Sequence, residues 1–221
     1  MTRQAGSLTV VLARHGETAW NRADRIQGWA PVDLTDRGRA QARTLGGALA
    51  ARYDVDRLVA SDLRRARETA ALLREAGVEP APTFSRAWRE RDVGVLQGLT
   101  REELFERHPE YGANSGVMGA RATPEGGESM LDLHQRVLGG WECLVEGSEG
   151  DEIVLVVTHG GPIYVLLGHL RGMDLPRSFL EHSQDNCAIT ELRVSGGGPG
   201  PDAVRVVNEN ERIGGPDGGD E

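Results

Sequence analysis

Lysine is missing altogether: every one of the 25 basic residues is an arginine. That excludes chemistry needing a lysine amine, both Schiff-base formation and the lysine of a nucleotide-binding P-loop. Cysteine is scarce too. Cys143 and Cys187 alone make neither a disulfide framework nor a four-thiolate zinc site and read as two reduced thiols. Four Trp, three Tyr and three Phe leave the core to aliphatic side chains. The longest apolar run, Ile153 to Val157, is far short of a membrane span, and the opening MTRQAGS lacks the apolar stretch of a secretory signal. Positive charge is in deficit: 34 acidic residues give a net charge of −9, which repels nucleic acid and anionic lipid at long range. The expectation is a cytoplasmic protein with neither a nucleic-acid nor a membrane partner. Such a composition suits a high-salt cytoplasm, and a genome that replaces Lys by Arg yields the same pattern.

What is present is enough for one domain: 221 residues against about 150 per domain, 38% of them hydrophobic. A β-branched run at Leu8 to Ala13 predicts a strand buried on both faces. A helix follows from Asp36 to about Arg52 with Thr35 as N-cap, then a strand at Arg57 to Ala60 and a helix capped by Ser61 that runs to Leu73. Thr100 and Glu103 have capping-box spacing, and a further helix is expected from about Ser129 to Val145. Ile153 to Val157 is the clearest strand, entering THGG and a helix over about Pro162 to Leu170. Ala188 to Val194 and Ala203 to Val207 alternate as a hairpin at a sheet edge, joined by SGGGPGPD. The reading is a single three-layer α/β/α sandwich over residues 1–213, with a mostly parallel central sheet and an antiparallel edge. Residues 214–221 are expected to form a disordered Gly/Asp-rich tail.

In open α/β sheets ligands bind beyond the carboxyl ends of strands. Here two strands end in histidine and glycine: Arg14-His15-Gly16 and Thr158-His159-Gly160. Gly16 and Gly160 let the backbone approach a bound group, and the helix start at Gly161 adds amide donors for an anion. Arg14, with Arg64, Arg65 and Arg67 after the second strand, can grip phosphate oxygens in two-pronged fashion. The natural ligand is a phosphate. Singly each of these residues is ordinary. Together LARHGETAWN at 12–21, SDLRRARETA at 61–70, WRERDVG at 88–94 and VTHGG at 157–161 resemble the histidine phosphatase superfamily, also called phosphoglycerate mutase-like, over residues 8 to 194.

The resemblance implies roles residue by residue. His15 is the nucleophile, Arg14 and Arg65 are phosphate ligands, His159 is a second phosphate-binding histidine and Glu90 is the proton donor. Asn21 is implied to touch the phosphoryl group and Gln27 the substrate, while Arg64 and Arg67 face solvent. Neutral imidazole is a competent nucleophile near pH 7 if its other nitrogen is held as a donor. Prepositioned Arg14, Arg65 and His159 can stabilise the phosphoryl charge with neither metal nor other cofactor.

Between Gln97 and Gly127 only Arg101, Arg107 and Arg121 are positive, a thin grip for a second phosphate, and DVGVLQG has Leu96-Gln97 where the family has an aromatic-acid pair. GGES with Ser129 and NCAITEL at 186–192 resemble the broad-specificity cofactor-independent phosphatases. The expected function is hydrolysis of small phosphorylated metabolites through a phosphohistidine. Alternatives are a cofactor-dependent phosphoglycerate mutase, a metal hydrolase on His15, His159 and Glu90, and a silent phospho-ligand binder. The oligomeric state stays open, a homodimer included.

Overall fold

The computed structural model describes residues 7–148, 150–195 and 198–214. The expected tail, apart from Gly214, the first six residues of MTRQAGS and part of the SGGGPGPD turn lie outside the described residues. Among the described residues six strands, β1 (Leu8–Arg14), β2 (Arg57–Ser61), β3 (Thr83–Ser85), β4 (Glu152–Thr158), β5 (Ile189–Val194) and β6 (Val204–Glu211), form one sheet in the order β3-β2-β4-β1-β5-β6. The four from β3 to β1 are parallel, and β5 and β6 run antiparallel at the other edge. The hairpin expected at the edge is there.

Alternation along the central strands explains why their sequences read as unbroken apolar runs. Val10, Leu12, Val154 and Val156 pack on one face with Leu133, Val137, Trp141 and Ile163. Val11, Ala13, Leu155 and Val157 pack on the other with Leu45, Leu49, Ala70 and Leu73. Of the eight α-helices among the described residues, α1 (Ala19–Arg22) is a short turn after β1, and α2 (Asp36–Arg52) and α3 (Arg64–Glu75) cover the second face. The helices α4 (Arg101–Arg107) and α5 (Gly116–Arg121) lie in the segment between Glu90 and Gly127. The first face is covered by α6 (Met130–Glu146) and α7 (Gly160–Leu170), with α8 (Leu175–Glu181) following.

Thr35 caps α2 through Gly38 N at 3.0 Å, and the Thr100–Glu103 capping box opens α4 as expected. Ser61 is the exception. It ends β2, while Leu63 occupies the cap position of α3 and makes no side-chain cap bond. The short elements α1, β3, α5 and α8, each seven residues or fewer, show no hydrophobic period, although Thr18 and Asp174 cap α1 and α8 with their side chains. Helix α7 begins at Gly160, ahead of the expected Pro162. No helix among the described residues is long and apolar enough to cross a membrane.

Candidate active site

Strand pairing brings the two histidines together. The strands β1 and β4 are parallel with Arg14 opposite Thr158, so the next residues, His15 and His159, emerge side by side, their ring centroids 5.1 Å apart. Ala60 pairs with Val157, which sets Ser61 at the same level on the other side of β4. The chain leaves β1 toward the α2/α3 face and β4 toward the α6/α7 face. The crevice therefore opens where the connections diverge, the usual ligand position in such sheets.

His15 is 2% exposed, and its main chain is fixed from two sides. Its N–H donates to Thr158 O at 3.0 Å, and its carbonyl accepts from Asn186 Nδ2 at 2.9 Å. Nδ1 lies 2.7 Å from Gly16 O. A carbonyl only accepts, so Nδ1 carries the proton and Nε2 presents its lone pair. That lone pair receives Arg65 Nε at 3.1 Å. Burial first, then the Arg65 and Arg14 charges, hold the His15 pKa well below the usual imidazole value, against the Gly16 hydrogen bond, so the ring is neutral at pH 7.

Arg65 is 1% exposed. Its outer nitrogens donate to Gly28 O at 2.9 Å and Ala30 O at 3.3 Å. Burial lowers its pKa to about 10, with Glu90 opposing and Arg14 assisting, and it stays a cation at neutral pH. Arg14 Nη1 donates to Gln184 O, while its Nε is buried with no partner among the described residues. Arg64 is exposed beside Asp33, and Arg67 is exposed over the Phe84 ring; both stand outside the cluster, as expected.

His159 is fully buried. Its Nε2 lies 2.8 Å from Ser61 Oγ, and its Nδ1 is buried with no partner among the described residues. Desolvation, followed by the Arg65, His15, Arg14 and Arg136 charges, depresses its pKa as well. Ser61 thus belongs to the site. Ser61 is the last residue of a strand in SDLRRARETA and not the expected helix cap, and that strand-end place is the signal in the sequence that points to it.

Glu90 faces the cluster from an irregular segment. Its Oε1 accepts Arg91 N at 2.8 Å and its Oε2 accepts Gly161 N at 3.2 Å. The Gly161 amide, expected to serve a bound anion, serves this carboxylate. A Cβ on Gly161 would stand 2.1 Å from Glu90 Oε1, so a larger residue there would displace the carboxylate. Gly16 likewise differs from expectation: a Cβ on it would meet Gly38 O at 2.4 Å, so this glycine lets the loop after β1 pack on the start of α2. Gly160 opens α7, its Cα under Tyr164. Asn21 spends its side-chain oxygen on Thr18 N at 3.1 Å and on Thr18 Oγ1, which leaves its NH2 group for a ligand. Gln27 is buried beside Gly28, and among the described residues its Oε1 and that of Gln97 have no partner.

All five residues expected to do the chemistry are thus gathered around one crevice. The segment before β5, from Gln184 to Ala188, supports it from behind. Besides the contacts of Gln184 and Asn186, Cys187 N donates to Arg14 O at 3.1 Å and Ala188 O accepts Arg14 N at 3.2 Å. Burial pushes the Cys187 thiol up to about 12, so it is an inert packing group. Among the described residues no three His, Cys, Asp or Glu side chains are placed to hold a metal ion. The His15, His159 and Glu90 ligand set is not formed: both His15 nitrogens are engaged by Gly16 and Arg65.

Comparison with known proteins agrees with this geometry. Residues 10–208 match the model of the histidine phosphatase superfamily (branch 1). A metal-independent phosphoserine phosphatase of Arabidopsis thaliana is 37% identical over 69% of this chain and 64% of its own length. A glucosyl-3-phosphoglycerate phosphatase of Mycolicibacterium vanbaalenii is 38% identical over 74% of each. The solved structure of a mycobacterial glucosyl-3-phosphoglycerate phosphatase superposes with a TM-score of 0.76 at 29% identity, over 93% of this chain and 99% of that one. A chain with this sheet, these strand-end histidines and a family match over nearly its whole length belongs to the histidine phosphatase superfamily, branch 1.

Proposed function

We propose that the protein is a phosphomonoesterase of small phosphorylated metabolites that works through a phosphohistidine on His15. The single observation carrying this reading is the state of the His15 ring: Nδ1 is held at 2.7 Å by Gly16 O, and Nε2 is aimed at Arg65 Nε at 3.1 Å. The Nε2 lone pair therefore points to where the same guanidinium would hold the phosphoryl oxygens. In the first step Nε2 attacks phosphorus and the ester P–O bond breaks. The bond's electrons pass to the leaving oxygen, which takes the proton of the Glu90 carboxyl. In the second, water attacks phosphorus and gives its proton to the Glu90 carboxylate, and the P–N electrons return to Nε2. Arg14, Arg65 and the His159 Nδ1 donor stabilise the charge on the transferring group, with Asn21, Gln27 and the Gly160 backbone as further substrate contacts. No step needs a metal.

Hydrolysis is favoured over a mutase by the segment that would grip a second phosphate. Arg101 and Arg107 are exposed and already face Asp24 at 2.9 Å and Glu103 at 3.7 Å, and Arg121 is exposed as well. The test is a panel of phosphoserine, phosphoglycerates, sugar phosphates and p-nitrophenyl phosphate, with and without chelator, scored for released phosphate and for isomerised product. Released phosphate insensitive to chelation, with acid-labile label trapped on His15, is the expected result. Isomerisation dependent on bisphosphoglycerate would install the mutase reading, and absence of trapped label with any substrate would leave a binding module.

A further inference from the structure

The carbonyl of Glu90 is held by two donors from distant parts of the chain. Trp29 Nε1 donates to it at 2.7 Å and Arg136 Nη2 at 3.1 Å, which occupies both oxygen lone pairs. Arg136, on α6, also spans the carbonyls of Arg86, Ala87 and Arg89 through Nη1, at 3.1, 3.0 and 2.9 Å, and pairs with Glu128. Glu128 in turn accepts Asp92 N at 3.0 Å. A segment without strand pairing is thereby fixed at almost every residue from 86 to 92.

Trp29 sits in the loop whose flanking carbonyls, Gly28 O and Ala30 O, accept the two outer nitrogens of Arg65. Its ring lies under the Arg89 guanidinium, 4.3 Å from the centroid, and Arg89 makes a two-pronged pair with Asp62. One short loop therefore touches both the arginine that contacts His15 Nε2 and the main chain of the residue read above as proton donor. Proton transfer depends on the separation of the carboxyl from the leaving oxygen on a scale of about half an ångström.

We propose that Trp29 is a positioning residue for the proton donor, its indole N–H tying the Glu90 main chain to the loop that Arg65 anchors, with Arg136 as the opposing clamp. The inference rests on the reading of Glu90 as proton donor. It distinguishes two kinds of substrate: a p-nitrophenolate leaving group departs without protonation, whereas an alkoxide does not.

The test compares kcat/KM for p-nitrophenyl phosphate and for glycerol 2-phosphate in Trp29→Phe, Arg136→Lys and Glu90→Gln. Trp29→Phe keeps an aromatic face beneath Arg89 and loses the indole N–H together with part of the ring. The expected result is a fall on the alkyl ester about tenfold larger than on the aryl ester, in the same direction as Glu90→Gln and smaller. Arg136→Lys, which keeps the charge and loses the fork, carries the same comparison if Trp29→Phe does not fold. Equal falls on both esters in a folded Trp29→Phe, with Glu90→Gln still discriminating, would overturn the positioning role alone. Equal falls in Glu90→Gln itself would overturn the proton-donor reading and this inference with it.

Discussion

Arg65 Nε donates to His15 Nε2 at 3.1 Å, so the atom read as nucleophile is occupied by the residue read as its phosphate ligand. An arriving phosphoryl group has to take over that guanidinium, and the exchange brings anion and nucleophile together. Arg65→Lys keeps a cation but loses the fork that also binds Gly28 O and Ala30 O. The expected outcome is a fall in kcat of roughly 10²–10³-fold, comparable to removing one donor from an oxyanion site, with turnover abolished in His15→Ala. Initial rates of phosphate release measure both.

The two buried histidines set an acid limit. Both have pKa values below the ordinary value near 6.5, in each case first because burial disfavours the charged ring. The unfolded chain therefore binds more protons than the native one as pH falls. The stability they contribute is fully present above about pH 6.5 and is lost progressively as pH drops toward their folded values. Melting temperature is expected to be level from about pH 7 to 8 and to fall below about 6.5, and to fall less steeply in His159→Ala. The acid limb of kcat/KM should lie below pH 6.5, since His15 remains unprotonated there. A limb above 7 would contradict the buried, neutral ring.

Ser61 Oγ lies 2.8 Å from His159 Nε2 and accepts Leu63 N at 3.3 Å. His159 is expected to take the Nδ1–H form, with the hydroxyl proton donated to Nε2. Ser61→Ala is expected to lower kcat about tenfold, the scale of one lost buried hydrogen bond, with a smaller change in KM. Nitrogen-15 NMR of the histidine side chains should show the Nδ1–H form of His159 in the wild type and a mixture in the variant.

Gly161→Ala probes the same acid from another side. The added methyl would overlap Glu90 Oε1, and the first turn of α7 has little room to move, so the carboxylate must be displaced. Alkyl phosphates should lose at least about tenfold in kcat/KM while p-nitrophenyl phosphate loses little, as read by parallel initial-rate measurements.

Much was legible in advance because it depends on local pattern. The doubly buried runs of β1 and β4 appear as unbroken apolar stretches, and Thr35 and Thr100 mark the starts of α2 and α4 with their own side chains. The motifs around His15, Arg65, Glu90 and His159 named the reacting groups. By contrast Glu90 sits in a segment with no period, and its supports, Trp29 and Arg136, lie far away along the chain. No spacing rule could have paired them.

The sequence by itself determined which side chains are available for chemistry and that two of them end strands: no lysine, scarce thiols, and a histidine after each of two buried runs. Tertiary structure decided the rest. Only the parallel register of β1 with β4 sets His15 beside His159, and only the crossing of β2 to the far side of β4 turns Ser61 from a helix cap into a partner of His159. The physical reason is that periodicity and capping are fixed by neighbours a few residues away, whereas hydrogen bonds across strand ends depend on which strands the whole chain places together.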